Sequence, residues 1–222
     1  MRRTCFSSSS TNILNIVSAL TEKRGDVVKL STLLASPSPP LHSLSFAPPP
    51  RWAAELSRRL QKQFPELQRQ HHVLYMRAFI HPSFTTPDAI NSTMNAASPL
   101  GEALLASVGG CLIVNAFKDL KRDEVLLLMS FLLSDATLSS ILRYHWEMED
   151  MLLTDSSVQL FQGSALRSTA GLLQWLTANG KQQTPDPYSA GCVKSLIGAV
   201  YLDGGLEAAT SFIYKHILQN IQ

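Results

Sequence analysis

A stretch near the end of the chain decides the fold: Ser195-Leu-Ile-Gly-Ala-Val-Tyr-Leu-Asp-Gly-Gly-Leu-Glu-Ala-Ala209. Its apolar first part predicts a long helix over Ala190 to Leu202. The adjacent small residues Gly198 and Ala199 allow the backbone of a second helix to approach closely. The two glycines after Asp203 end the helix, because glycine readily adopts the left-handed conformation in which many helices terminate. The stretch therefore predicts a buried helix that packs tightly against a neighbouring helix.

Helical spacing continues on the N-terminal side of this stretch. Trp52, Leu56, Leu60 and Phe64 recur every four residues, as in an amphipathic helix. Val73 to Ile80 is a shorter apolar segment, and Pro185-Asp186-Pro187 predicts a turn. Further apolar segments predict longer helices: Leu100 to Phe117, Glu124 to Leu133, Leu138 to Leu152, Ser164 to Leu176 and Leu206 to Ile221. We find no alternating strand pattern. The predicted class is all-α, with six to eight helices around one core.

Composition excludes several classes of protein. The chain has 222 residues, of which 45% are hydrophobic and 16% are charged, so it is too apolar for an intrinsically disordered protein. Its three cysteines form no CxxC pair, which argues against a disulfide scaffold or a zinc site. The longest apolar stretches are interrupted, for example by Ser107, Asn115 and Ser130. A spanning helix needs about 20 apolar residues, so we predict no transmembrane segment.

Three ordered motifs resemble the endonuclease domain of ribonuclease III. Arg77-Ala-Phe-Ile-His-Pro-Ser-Phe84 is similar to the family's A-x-T-H-x-S-[YF] segment, and Leu100-Gly-Glu-Ala-Leu-Leu105 to part of its signature helix, N-E-R-L-E-F-L-G-D-A-V-L. Leu196 to Gly205 matches the third motif, L-I-G-A-[IV]-Y-L-D-G-G, at every position. The resemblance covers roughly residues 55–222 and implies the all-α fold of that domain. His81, which precedes a proline, is expected to cap or orient the following loop.

The resemblance also implies where catalytic residues would lie. The family holds paired Mg²⁺ ions with four carboxylates from two helices. In the signature helix, the two carboxylate positions fall on Ser98 and Glu102. In the second helix, where the family has A-D-x-x-E, they fall on Gly191 and Lys194. Only Glu102 is acidic, so three of the four carboxylates are lost.

Lys194 argues further against metal binding. A single positive charge about 4 Å from a divalent cation costs about 8 kcal/mol at an effective dielectric constant near 20. We therefore predict that the domain is not an enzyme, that it has no catalytic or metal-binding residues and that it uses no cofactor. We hypothesise that Lys194 pairs with Glu102 in the vacated site.

The first 50 residues differ from the rest of the chain. They contain five basic and two acidic side chains, a run of serines at residues 7–10 and six prolines between Ser36 and Pro50. Basic, serine-rich segments that are poor in acidic residues are typical of organelle transit peptides. The prolines indicate a linker. We therefore predict a transit peptide and linker over residues 1–50, a domain over residues 51–222 without a double-stranded-RNA-binding domain, and location in the mitochondrial matrix, with a plastid as the alternative.

Residues 51–222 carry 14 basic and 15 acidic side chains, so an RNA contact would need a local basic patch. The candidates for phosphate contacts, with an ordinary solvated helix face as the alternative, are Arg51, Arg58, Arg59, Lys62, Arg69, Lys118, Lys121 and Arg122.

Together these features resemble the degenerate ribonuclease III-like proteins of the mitochondrial large ribosomal subunit. The resemblance implies a structural protein that contacts rRNA and neighbouring ribosomal proteins, forms a homodimer or a heterodimer with another ribonuclease III-like protein, and has no membrane partner. The alternatives are an organellar RNA-processing or splicing factor, a noncatalytic partner of a nuclease and, least favoured, an active double-stranded-RNA endonuclease.

Overall fold

The motif at residues 195–209 lies in a helix that packs against several of the other described elements. A computed structural model describes residues 44–85, 92–155 and 184–220. Its helices, which we number in chain order, are α1 (Pro50–Gln63), α2 (His72–Ala78), α3 (Ser98–Ala116), α4 (Arg122–Leu132), α5 (Asp135–Ser140) and α6 (Asp186–His216). Among the described residues, β-structure is limited to one isolated parallel bridge between Ile80 and Leu153. The predicted all-α class is confirmed. The helix predicted over Ser164 to Leu176 lies outside the described residues.

Helix α6 consists of two helical halves joined at Gly205, whose φ of 77° is in the left-handed region. The predicted break between two helices is therefore confirmed. The turn predicted at residues 185–187 is wrong, because Pro185 is the N-cap of α6 and Pro187 lies in its first turn. Proline is tolerated there because the first backbone N–H groups of a helix have no partner within the helix.

Two glycines bring α3 and the first half of α6 into backbone contact. A Cβ atom at Gly101 would lie 1.7 Å from the carbonyl oxygen of Lys194, and one at Gly198 would lie 2.4 Å from that of Ala97. Real Cβ atoms do not approach so closely, so only glycine fits at either position. The close helix approach predicted from Gly198 is confirmed, and its partner is the start of α3.

The helix predicted over Leu138 to Leu152 is wrong beyond its first part. Helix α5 ends at Ser140, a π-helical turn follows to His145, and Glu147 has a positive φ of 51°. Trp146 and Met148 are both buried. The positive φ at Glu147 turns the chain out of the helix, and the residues on either side of it both enter the core.

The buried carboxylate of Asp203 fixes the end of the first half of α6. Its side chain is 3% exposed and accepts hydrogen bonds from the backbone N–H groups of Gln70 and His71 and from the hydroxyl of Tyr75, at 2.9–3.0 Å. It also lies 2.8 Å from the His71 ring. Burial opposes ionisation, but these bonds hold the pKa of Asp203 below its ordinary value. The acidic residue of the motif thus ties α6 to the start of α2.

The packed region begins before the predicted boundary at Arg51. Leu44 and Phe46 lie against the core, and the Phe46 ring is 5.8 Å from that of Phe84. The backbone N–H of Ser45 donates to the Ser92 hydroxyl at 2.9 Å. Apolar side chains within the proline-rich segment thus pack onto the domain.

Among the described residues, two helical segments are long and apolar enough to cross a membrane by length and composition: α3 (Ser98–Ala116) and Asp186–Asn220, which is α6 with the short turn that follows it. The bent pair Arg122–Leu132 and Asp135–His145 would make a third. This differs from the sequence prediction, which treated Ser107 as a break. The Ser107 hydroxyl donates to the carbonyl of Ala103 at 2.8 Å, so the polar group of this side chain is hydrogen-bonded within the helix. In α6 the apolar character has another cause, since its first half lies in the core.

Candidate functional site

The site is built from two helices that the glycine contacts hold together. Ser98 and Glu102 lie one turn apart on α3, and Gly191 and Lys194 lie one turn apart on α6. The structure brings Lys194 and Glu102 together, with 3.5 Å between Nζ and Oε1. The pairing predicted from the sequence is therefore confirmed.

Ser98 lies at the start of α3 but does not act as its N-cap. A serine before a proline is typical of a helix N-cap, but Ala97 is the N-cap of α3 and Ser98 is its first helical residue. No side chain caps this helix start. The position therefore carries neither a carboxylate nor a capping hydroxyl.

Asp135 is a third member of the site, and the sequence reasoning missed it. Its Oδ1 lies 3.4 Å from Nζ of Lys194. Asp135 is the first residue of α5, and the hydroxyl of Ser134 caps that helix by accepting from the N–H of Thr137. The pair Ser134-Asp135 signals a helix start in the sequence. Nothing in its spacing connects that start to Lys194, 59 residues later.

The position of Gly191 is closed by packing. A Cβ atom there would lie 2.8 Å from Sδ of Met94, which is itself buried. A larger side chain at residue 191 would displace that sulfur atom. The thioether of Met94 thus occupies the space into which an acidic side chain at residue 191 would extend.

The donor set does not fit a pair of divalent cations. Mg²⁺ prefers several oxygen ligands, and bridging two ions requires shared carboxylates. Here two carboxylates lie against an ammonium group. Within residues 44–85, 92–155 and 184–220, no group of three or more His, Cys, Asp or Glu side chains is placed to hold a metal ion.

The site is open on one side. The Lys194 side chain is 12% exposed, whereas those of Glu102 and Asp135 are 52% and 44% exposed. The ammonium therefore lies at the inner end of the cluster, with the carboxylates toward solvent. This arrangement can hold three helices together and leaves acceptor oxygens accessible.

His81 lies in the first of the three motifs, where it was expected to cap a loop. Its Nδ1 accepts from the backbone N–H of Ser83 at 3.1 Å and starts the short 3-10 turn Pro82–Phe84, which confirms that prediction. Its ring stacks on Tyr188 with 3.5 Å between centroids. Burial lowers the pKa of His81. These contacts position the loop.

Among the candidate RNA-contacting side chains of α1, those of Arg58 and Arg59 form ion pairs with carboxylates. Arg58 donates to Glu55 at 2.7 and 2.8 Å, and Arg59 donates both to Glu55 and, at 2.7 Å, to Asp150. Arg51 and Lys62 are exposed. With Gln63 and Trp146, Arg58, Arg59 and Lys62 line one shallow groove. Its positive charge is partly neutralised by these carboxylates.

Arg69 is not placed as the sequence suggested. Its residue is 7% exposed, its backbone has a φ of 47°, and its guanidinium donates to the carbonyl of Ser57 at 3.0 Å and to the Gln61 side chain. It joins the α1–α2 connection to α1. Sequence charge alone does not distinguish such a buried arginine from a solvated one. We withdraw it as a candidate phosphate contact.

Lys118 and Lys121 are exposed in the connection between α3 and α4, and Arg122 is exposed as the first residue of α4. The Lys121 backbone N–H donates to the carboxylate of Glu124 at 2.7 Å, in a capping box at the start of α4. The three side chains thus form a basic tip where α3 ends and α4 begins.

An exposed apolar face lies next to this basic tip. Six large hydrophobic residues of α3, α4 and their connection are exposed, which we call the α3–α4 face: Val114, Phe117, Leu126, Leu127, Leu128 and Phe131. Exposed apolar side chains on neighbouring elements are candidates for an interaction site. The sequence predicted the helices but gave no indication that the other described residues would leave these side chains exposed.

Comparison with known proteins gives the fold a family context. Ribonuclease 3 of Mesorhizobium japonicum is 31% identical over 117 residues, which is 53% of this chain and 44% of that protein. Two structures of the nuclease domain of ribonuclease III from Campylobacter jejuni superpose with TM-scores of 0.54 at 18% identity, covering 73% of this chain. The chain is thus similar to the ribonuclease III nuclease domain in sequence and shares its fold. No protein-family model matches it.

The extent of these matches differs. The match covers 96% and 94% of the two Campylobacter jejuni domains, so the likeness extends over nearly the whole of that fold. The chain spans less than half the length of the Mesorhizobium japonicum protein. One of the Campylobacter jejuni structures concerns flexibility in the region of that domain involved in dimer formation.

Proposed function

We propose that this ribonuclease III-like domain is not catalytic and serves as a structural constituent of the mitochondrial large ribosomal subunit. The observation that carries the proposal is the ammonium of Lys194 lying 3.5 Å from Glu102 and 3.4 Å from Asp135. An ammonium group cannot activate a metal-bound water, and it repels the cation that would do so.

The site lacks the means to bind the ions that ribonuclease III chemistry requires. Ser98 and Gly191 offer no carboxylate, and Met94 occupies the space beside Gly191. A divalent ion at the position of the Lys194 ammonium would have to displace it from both partners. No cofactor is part of the proposal.

The α3–α4 face supports a role in assembly. We propose that it binds a second copy of this chain or another ribonuclease III-like protein. The dimer-forming region described for the Campylobacter jejuni domain supports this proposal by analogy. A face of leucine, valine and phenylalanine side chains supplies the apolar area that stable protein interfaces need.

The packing of α3 argues against a membrane as the partner of this face. Spanning a bilayer takes about 20 residues of helix. The first half of α3 is committed to the core, since Gly101 lies against α6 and Leu105 is fully buried. Only the second half is open, and it is too short to span.

The proposed rRNA contacts use the cations that the structure leaves at the surface. Arg51, Lys62, Lys118, Lys121 and Arg122 are exposed. Phosphate contacts of this kind position a protein on RNA without reading its sequence. The basic tip next to the α3–α4 face would bring RNA and a protein partner to neighbouring surfaces.

The mitochondrial assignment rests on the composition of residues 1–50 and is part of the same proposal. Sedimentation of an organelle lysate through a sucrose gradient at high salt tests it. We expect the chain to migrate with the large ribosomal subunit in stoichiometric amounts. Recovery at the top of the gradient, or with a light RNA complex, would contradict the ribosomal role and favour an RNA-processing factor.

A separate assay tests the absence of catalysis. The purified chain is incubated with double-stranded RNA and Mg²⁺ beside an active ribonuclease III. We expect no cleavage above the buffer background. Cleavage that disappears in a Glu102→Gln variant would show that the site is active and would overturn this part of the proposal.

A further inference from the structure

Lys194 connects three separate helices through one nitrogen atom. Its own helix is α6, Glu102 lies on α3 and Asp135 begins α5. Both carboxylate oxygens lie within 3.5 Å of Nζ, so they are neighbours of each other as well as of the ammonium. In the absence of a cation between them, the two carboxylates would repel.

Lysine is suited to this position. Its ammonium is a compact point charge with three hydrogen-bond donors, and its aliphatic stem can lie along apolar surface. The side chain is 12% exposed, so it reaches the carboxylates from the protein interior. Because it is covalently attached, it does not have to be recruited from solution.

We propose that Lys194 acts as a built-in cation that takes the electrostatic place of a divalent ion between Glu102 and Asp135. The inference rests on the proposed loss of catalysis and extends it. The ammonium makes the folded domain independent of divalent cations, rather than merely preventing their binding. It follows that removing the ammonium exposes a cation requirement that the natural chain does not have.

The geometry indicates which variants reveal this requirement. Lys194→Met leaves Glu102 and Asp135 facing one another, open to solvent at 52% and 44% exposure. Lys194→Glu adds a third carboxylate to the cluster. Carboxylates from several helices are the donors that Mg²⁺ and Mn²⁺ prefer, so both variants create a weak site for these ions.

The test is thermal unfolding of the full chain and its variants in EDTA, in Mg²⁺ and in Mn²⁺ at matched ionic strength. We expect the Tm of the natural chain to be the same in all three. In EDTA, Lys194→Met should unfold at a lower temperature, and Lys194→Glu at a lower temperature still. At a Mn²⁺ concentration roughly ten times the dissociation constant, the Tm of Lys194→Glu should rise by about 4 °C.

Lys215→Glu is the matched control, because it makes the same charge change at an exposed position of the same helix. Its Tm should not respond to Mn²⁺ beyond the effect of ionic strength. If Lys194→Glu does not fold, Lys194→Met and Lys194→Gln carry the test with the same expected sign and a smaller shift.

Two results would overturn the inference. One is a rise in the Tm of the natural chain with Mg²⁺ or Mn²⁺, because a divalent ion would then bind despite the ammonium. The other is a set of folded Lys194 variants whose Tm is insensitive to both ions. A rise in the Tm of the natural chain without cleavage in the nuclease assay would overturn this inference and leave the proposed loss of catalysis standing, and insensitive variants bear on the inference alone. Failure here is therefore distinguishable from failure of the proposed function.

Discussion

The two ends of α3 differ in what they contact. At its start, Gly101 touches the backbone of Lys194, and Glu102 pairs with the Lys194 ammonium. At its end, Val114 and Phe117 face outward as part of the α3–α4 face. Both ends are rich in small and apolar residues. One helix is therefore closed against the core at one end and open to a partner at the other.

The role of a glycine in α3 depends on which atoms lie opposite it. A Cβ atom at Gly101 would collide with backbone, which cannot move aside, whereas one at Gly110 would lie 3.8 Å from the flexible side chain of Met129. The first glycine is required by the fold. The second is a place where the helix could carry a side chain at no cost in packing.

The largest effect is expected from Gly101→Ala, which tests whether the closed end is as tightly packed as its contacts indicate. The added methyl group must push α3 away from α6, which should lower the free energy of unfolding by about 3 kcal/mol. Urea unfolding measures the change. Gly110→Ala is the control and should be neutral or stabilising by up to about 1 kcal/mol. Equal effects of the two substitutions would remove the distinction between the ends.

A smaller loss is expected from Asp203→Asn, which tests whether polar contacts as well as packing hold α6 in place. The amide loses the charge and one of the acceptor oxygens used by Gln70, His71 and Tyr75, at a cost of about 2 kcal/mol.

The effect of Asp203→Asn should depend on pH. The folded-state pKa of Asp203 is lowered, so its stabilisation is complete above the unfolded value and is lost as the pH falls through the folded value. The difference between the natural chain and the variant, measured by urea unfolding, should therefore shrink in acid. A constant difference would mean that the carboxylate charge is not what stabilises the contact.

Leu127→Asp should change the free energy of unfolding by less than about 0.5 kcal/mol, because Leu127 is 69% exposed. It should nevertheless shift the chain from dimer to monomer in sedimentation equilibrium. Leu206→Asp, a similar change on the exposed second half of α6, is the control and should leave the dimer intact. If both variants remained dimeric, the α3–α4 face would not be the interface.

The smallest effect is expected from alkylating the two cysteines of the described regions, Cys111 and Cys192, in a Cys5→Ser background. Cys111 is exposed on the open end of α3, and Cys192 is buried in α6, where burial raises the pKa of its thiol. Alkylation in the native state should label Cys111 and spare Cys192, because the thiolate is the reactive form. Mass spectrometry reads the result. Rapid labelling of Cys192 would show that the closed end opens.

Much of the fold was predictable because its signals are local. The i, i+4 spacing in α1 and the paired glycines after Asp203 specify helices and a break without knowledge of any partner. The irregular chain after α5 was not predictable. Its course depends on burying both Trp146 and Met148, and burial is a property of the packed domain.

The candidate site likewise has contacts that could be predicted from the sequence and contacts that could not. The resemblance to the ribonuclease III domain, with the register of two motifs, was enough to predict that Lys194 meets Glu102. Asp135 was missed because α5 reaches Lys194 only through the packing of three helices. Arg69 was misjudged for the same reason, since a charge in the sequence does not reveal whether its side chain is solvated or buried.

The sequence by itself determined the helical class and the position of the glycine break, because residue type and spacing act locally along the chain. Only the tertiary structure decided that Met94 closes the space at Gly191, that Asp135 completes the partners of Lys194 and that the other described residues leave the α3–α4 face exposed. These features depend on distances between segments far apart in the chain, which are fixed only when the helices pack.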